Sequence, residues 1–140
     1  MARILYLTQI EIDHGAIGCL NAECERVGMR RPLVVTDPGV RAAGVLDRAL
    51  AALGSRAHAV FAQTPGNPTE SAVRAAVDAY RVGGCDGLIA VGGGSSIDLA
   101  KGAAILATHD GPLKHYATIE GGSPRITDAV SPLIAVPTTA

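Results

Sequence analysis

The residues best placed to do chemistry gather in one string, Val91-Gly92-Gly93-Gly94-Ser95-Ser96-Ile97-Asp98-Leu99-Ala100-Lys101. An apolar run, Gly87-Leu88-Ile89-Ala90-Val91, leads into its three glycines, and Ile97, Leu99, Ala100, Ala103 and Ala104 then recur at helical spacing. That pattern predicts a strand, a glycine turn and a helix. Residues without Cβ let the backbone come close to a ligand and take positive φ where needed. Ser95 is expected as the N-cap, and the helix behind it would offer free N–H groups and a positive dipole end to an anion. A phosphate or pyrophosphate is the natural anion for such a site. General motifs fit only in part. A G-x-G-x-x-G pattern can start at Gly92 and Gly94 but meets Ile97 at its third glycine, and Lys101, between Ala100 and Gly102, is not a P-loop lysine. A tight turn with no ligand is the competing reading.

Other candidates stand alone. Asp37 follows an apolar run, at the end of a strand where ligands of open α/β sheets gather. A carboxylate there can accept both hydroxyls of an adenosine ribose and would repel a 2′-phosphate, favouring NAD over NADP. It could equally close an Asp-Pro-Gly turn on local N–H groups. Asn67, in the proline-rich loop Gln63-Thr64-Pro65-Gly66-Asn67-Pro68-Thr69, suits an Asx turn. Asp98 complements a helix N-terminus, Lys101 suits a solvated surface, and Thr138 and Thr139 suit a turn after a strand. His14, His58, His109 and His115 have no metal-ligand spacing, and Cys19, Cys24 and Cys85 form no C-x-x-C pair. Neither a catalytic residue nor a metal ligand is assigned within this sequence.

Taken whole, Gly92-Gly93-Gly94-Ser95-x-x-Asp98-x-Ala100-Lys101 resembles the signature of the iron-containing (group III) alcohol dehydrogenases, relatives of glycerol dehydrogenase and dehydroquinate synthase. Val34-Val35-Thr36-Asp37 is similar to that family's strand ending in an acid, and Gly66-Asn67-Pro68-Thr69 to its Asn-Pro turn before a helix. Ile134-Ala135-Val136-Pro137-Thr138-Thr139 resembles its Pro-Thr-Thr segment. The matches keep family order from near residue 10 to the last residue.

The resemblance implies an NAD(P)-binding domain, with NADP less favoured, whose contacts are Asp37, Asn67, Gly93, Gly94, Ser95, Asp98, Thr138 and Thr139. Asp98 would line the cleft near the nicotinamide, and the two threonines would lie near the adenosine. The family holds a divalent metal, Fe or Zn, through one Asp and three His of a helical second domain that this sequence lacks. The implied reaction is hydride transfer between NAD(P) and a primary alcohol or aldehyde by the full-length protein, expected as a homo-oligomer, with the 140 residues alone inactive. Two rivals remain: a stand-alone nucleotide- or phosphate-binding module, and a lyase-type relative like dehydroquinate synthase.

Positioning these residues needs an alternating architecture. Residues 3–12 are rich in β-formers and are expected to form one or two strands, an N-terminal arm or hairpin by the resemblance. A helical stripe over Ile17, Leu20, Cys24 and Val27 stops at Gly28, and Pro32 to Thr36 reads as a buried strand closed by an Asp-Pro-Gly turn. Val45 to Leu53 reads as a helix, Ala57 to Phe61 as a strand, and Thr69 caps a helix bearing Val73, Ala76, Val77 and Tyr80. The glycine-loop helix is expected over Ser95–Thr108, and residues 109–131 as loop with about one helical turn. Leu133 to Val136 closes the series as a buried strand. This order predicts one α/β, Rossmann-like domain over residues 1–140, its sheet mostly parallel and flanked by helices. The chain stops directly after that strand, which is expected of a fragment.

Composition agrees. Hydrophobic residues make up 48% of the chain and aromatics only 3%, so the core must be built from Ala, Val, Leu and Ile, as in helices packed closely on a parallel sheet. A net charge of −1 with scattered Lys and Arg excludes a nucleic-acid footprint or a basic membrane surface. No leader or membrane-spanning run is visible and the cysteines read as reduced, so a cytoplasmic location is expected.

Overall fold

The computed structural model of the chain describes residues 8–138. Strands β1 (Pro32–Val35), β2 (Ala59–Phe61), β3 (Gly87–Gly92) and β4 (Leu133–Pro137) form one sheet in the order β2-β1-β3-β4, every pairing parallel. Helices α1 (Leu20–Arg26), α2 (Pro38–Ala42), α3 (Val45–Leu53), α4 (Glu70–Val82) and α5 (Gly94–Leu106) cover it. The expected Rossmann-like α/β architecture is the one observed.

The central strands are apolar without interruption because both faces are covered. Leu33, Val35, Leu88 and Ala90 pack with Val73, Ala76 and Val77 of α4 and with Leu99 and Ala103 of α5. The alternate residues, Val34, Ile89 and Val91, pack with Leu20 and Cys24 of α1 and Leu46, Ala49 and Leu53 of α3. Each large side chain buried this way contributes about 1.5–3 kcal/mol of transfer free energy. Small residues make the packing close: a Cβ on Gly102 of α5 would stand 3.2 Å from Val73 of α4.

The chain leaves β1 for β2 on one side and returns past β1 to β3 on the other. Keeping one hand of crossover while the direction reverses requires the connecting helices to change face. They do: α3 lies on one face, α4 and α5 on the other.

Local signals explain most boundaries. Thr69 accepts a hydrogen bond from the Ala72 N–H at 3.2 Å and opens α4, as its side chain predicts. Asp37-Pro38-Gly39, expected as a turn, instead opens α2: Pro38 has a helical φ preset and Asp37 caps the helix. The Ile17 stripe begins as a 3₁₀ turn, Ala16–Cys19, before α1. Residues 8–12 carry no strand, with Ile10 and Ile12 exposed, and the rest of the expected N-terminal arm lies outside the described residues.

Segment 109–131 is more ordered than one helical turn. It holds three 3₁₀ turns, Leu113–Tyr116, Thr118–Glu120 and Ser123–Arg125. Hydrogen bonds tie it down: Tyr80 and Ser131 share one at 2.8 Å, the Thr127 N–H donates to His109 Nε2 at 2.9 Å, and the Tyr116 hydroxyl donates to the Asp110 carbonyl. Among the described residues, no helix is long and apolar enough to cross a membrane.

Candidate functional site

Because β1 and β3 are neighbours whose connections run opposite ways, the loops leaving their carboxyl ends part at a topological switch point, where open α/β sheets form their ligand crevice. Asp37 stands at the end of β1, and Gly92, Gly93 and Gly94 at the end of β3. The two elements singled out in the sequence thus face each other across the switch point.

The glycine loop begins with a contact that admits no side chain. Gly92 has φ 155°, and a Cβ there would lie 2.7 Å from Ser96 Oγ and 3.4 Å from Asp37 Oδ2. Gly93, extended at φ −84° and ψ −164°, is the N-cap of α5 and offers no side chain to it. Ser95, expected as the cap, is instead the second helical residue, because the chain enters helical geometry at Gly94. The first bonded amide of α5 is that of Ile97, which donates to the Gly93 carbonyl at 3.2 Å. The N–H groups of Gly94, Ser95 and Ser96 therefore have no cap among the described residues, at the positive end of a 13-residue helix. A Cβ on Gly94 would meet nothing within 4 Å, so no neighbouring group crowds the first residue of the helix. Open space at Gly94, free donors and a helix dipole fit a phosphate group.

Ser95 has a different task from the expected one. Its hydroxyl donates to the Gly66 carbonyl at 2.6 Å and ties the glycine loop to the loop that bears Asn67. Asn67 itself is exposed beside that tie. Across the crevice, Asp37 Oδ1 accepts from the Val40 N–H at 2.9 Å, while Oδ2 faces the Ser96 hydroxyl at 3.5 Å. Asp37 thus performs the local capping that its composition allowed, and its second oxygen lies beside Ser96 at the start of α5. On the far side of β3, the Thr138 N–H donates to the Gly92 carbonyl at 3.0 Å, which sets Thr138 beside the loop. Thr139 lies outside the described residues. Asp98 is exposed one turn along α5, with Oδ1 3.9 Å from Lys101 Nζ, and no hydrogen bond among the described residues joins it to the crevice.

Sequence reasoning missed the buried hydroxyls beneath this edge. Thr36 is fully buried: its Oγ1 donates to the Val91 carbonyl at 2.7 Å, its N–H to the Phe61 carbonyl at 2.9 Å, and its carbonyl accepts from the Thr64 N–H at 3.3 Å. One residue thus stitches the ends of β1, β2 and β3. Ser96 is fully buried under Gly92. Thr64 is buried as well, and its Oγ1 has no partner among the described residues. The available signal was a hydroxyl residue directly after a buried strand, which is costly unless it is paired.

Groups with displaced pKa values sit elsewhere. Burial pushes the thiols of Cys24 and Cys85 and the phenol of Tyr80 upward, on α1, the turn before β3 and α4. Among the described residues, no three His, Cys, Asp or Glu side chains are grouped to hold a metal ion.

Comparison with known proteins bears on the family and the fold of the chain. The family model described as iron-containing alcohol dehydrogenase matches residues 8–140. A 4-hydroxybutyrate dehydrogenase of Cupriavidus necator is 66% identical over 139 residues, which is 99% of this chain and 36% of that protein. The crystal structure of a 1,3-propanediol oxidoreductase superposes with a TM-score of 0.79 at 36% identity, covering 89% of this chain and 32% of the other. A sulfoacetaldehyde reductase from Bifidobacterium kashiwanohense, solved in complex with NAD+, superposes with a TM-score of 0.76 at 27% identity, covering 89% and 32%. The chain thus spans about a third of the length of the relatives it matches. With the family model matched from residue 8 to the last residue, the chain belongs to the iron-containing alcohol dehydrogenase family.

Proposed function

We propose that this chain is the cofactor-binding part of a metal-dependent alcohol dehydrogenase, which transfers hydride between NAD and a primary alcohol or its aldehyde. The observation that carries the reading is the uncapped start of α5 beneath open space at Gly94, with the Asp37 carboxylate across the switch point. NAD, when bound, supplies the hydride acceptor. The amides of Gly94, Ser95 and Ser96, with the Gly93 turn, hold its pyrophosphate. Asp37 accepts from the adenosine ribose hydroxyls and disfavours a 2′-phosphate. The Ser95 tie holds Asn67 beside the dinucleotide, Asp98 faces the nicotinamide end, and Thr138 and Thr139 flank the adenosine.

No metal site is formed among the described residues; a divalent metal, Fe or Zn, held elsewhere in the whole protein would supply Lewis-acid activation of the alcohol oxygen. Its ligands lie in the two thirds of the relatives' length that this chain does not span, in a helical second domain. The relative's name makes 4-hydroxybutyrate, a terminal alcohol, the first substrate to try. The unpaired Cys19, Cys24 and Cys85 support a reducing, cytoplasmic setting, and the whole protein is proposed to be a homo-oligomer.

The test is to express the whole protein with Fe²⁺ or Zn²⁺, supply NAD with 4-hydroxybutyrate and a panel of short alcohols, and follow nicotinamide absorbance. Metal-dependent NAD reduction is expected. A protein that binds NAD yet reduces none of it with any alcohol is a binding module, and the reading fails.

A further inference from the structure

Each oxygen of the Asp37 carboxylate has a neighbouring donor, a close one on its own helix and a more distant one across the switch point. Oδ1 accepts from the Val40 N–H at 2.9 Å, the ordinary capping contact. A carboxylate fixed at one oxygen can still swing the other, and Oδ2 is the oxygen left for a ligand. Oδ2 lies 3.5 Å from Ser96 Oγ. Ser96 is 0% exposed, so its hydroxyl cannot turn to water, and Asp37 is its hydrogen-bond partner in the structure. The contact exists because Gly92 has no Cβ: one there would come within 2.7 Å of Ser96 Oγ and 3.4 Å of Asp37 Oδ2. The same residue carries one of the three uncapped amides of α5, so Ser96 joins the phosphate cradle to the acid across the crevice.

We propose that Ser96 is a positioning residue for dinucleotide choice: its buried hydroxyl holds the free oxygen of Asp37 toward the crevice and so sets how strongly NAD is preferred over NADP. This rests on the reading of Asp37 given above. Without the hydroxyl, Oδ2 swings freely, meets the ribose hydroxyls less often and repels a 2′-phosphate less directly. At 3.5 Å the contact is longer than an ordinary O–H···O hydrogen bond, so its loss is expected to change the ratio by no more than about fivefold.

The experiment is calorimetric binding of NAD and of NADP to the whole protein and to its Ser96→Ala, Asp37→Ser and doubly substituted forms. Ser at 37 keeps a capping oxygen and removes the charge. Ser96→Ala is expected to lower the NAD-over-NADP preference by up to about fivefold, and to lower it no further in the Asp37→Ser background. Equal weakening of both dinucleotides, no change in either, or an undiminished effect without Asp37 would each overturn the proposal while leaving the role of Asp37 intact. An unchanged ratio in Asp37→Ser itself would instead overturn the reading of Asp37, and the proposal with it. Should Ser96→Ala not fold, Ser96→Cys, similar in size with a weak donor, is subject to the same outcomes.

Discussion

The Ser95 hydroxyl donates to the Gly66 carbonyl at 2.6 Å, so two loops far apart in sequence act as one wall of the crevice. Ser95→Ala leaves that carbonyl without its donor and frees the Asn67 loop. Affinity of the whole protein for NAD is expected to fall about fivefold, with a stability loss of about 1 kcal/mol. Calorimetry and denaturant unfolding check the two numbers. Unchanged NAD affinity would mean that the Asn67 loop does not take part in binding.

Asp37 combines capping and charge, and the two can be separated. Asp37→Ser keeps an oxygen for the Val40 N–H and removes the carboxylate. NADP use relative to NAD should rise by about 1–3 kcal/mol, the range for a lost charged contact. Steady-state comparison of both cofactors decides it. A variant with the parental ratio would reduce Asp37 to a helix cap.

Thr64 gives a prediction of opposite sign. Its Oγ1 is buried with no partner among the described residues, so the hydroxyl carries a desolvation cost without a compensating bond. Thr64→Val preserves shape and should leave stability unchanged or raise it by up to about 1 kcal/mol. A loss above that in thermal or denaturant unfolding would show that the hydroxyl is satisfied in solution, by water or by a rearranged neighbour.

Gly122 tests the ordering of segment 109–131. A Cβ there would lie 2.4 Å from the backbone of His115 and Tyr116, which cannot yield as a flexible side chain would. Gly122→Ala should cost about 1–3 kcal/mol and raise proteolysis within the segment. Parental stability would show that the segment is looser than its hydrogen bonds indicate.

The layers and much of the crevice were legible in the sequence because they follow from periodicity and from types with narrow uses. Leu33 to Val35 and Leu88 to Val91 read as buried strands, and Val45–Leu53 agrees with the observed helix to the residue. The glycine loop and the acid at position 37 stood where an alternating chain brings its strand ends together. What escaped depends on contacts that local pattern does not encode. Ser95 has the composition of a cap, but the first helical φ and ψ fall at Gly94, one residue early, and its hydroxyl turned to Gly66. Ser96 has the same type as its neighbour, yet only the three-dimensional approach of Gly92 and Asp37 gives it a partner. Segment 109–131 is tied down through Ser131, Thr127 and Asp110, which bond to Tyr80, His109 and Tyr116, and no stripe announces such contacts.

The central claim is that the start of α5 is a pyrophosphate cradle, and Gly94 tests it most directly. The open space above it accepts a larger side chain without clash, and Val is a better helix former than Gly, so Gly94→Val should fold. Its isopropyl group would stand beside the amides proposed to hold the phosphate. In calorimetric titration of the whole protein, with native-like circular dichroism as control, the variant is predicted to lose NAD affinity by at least about 100-fold, or about 2.7 kcal/mol. A folded Gly94→Val protein that binds NAD as tightly as the parent would contradict the account.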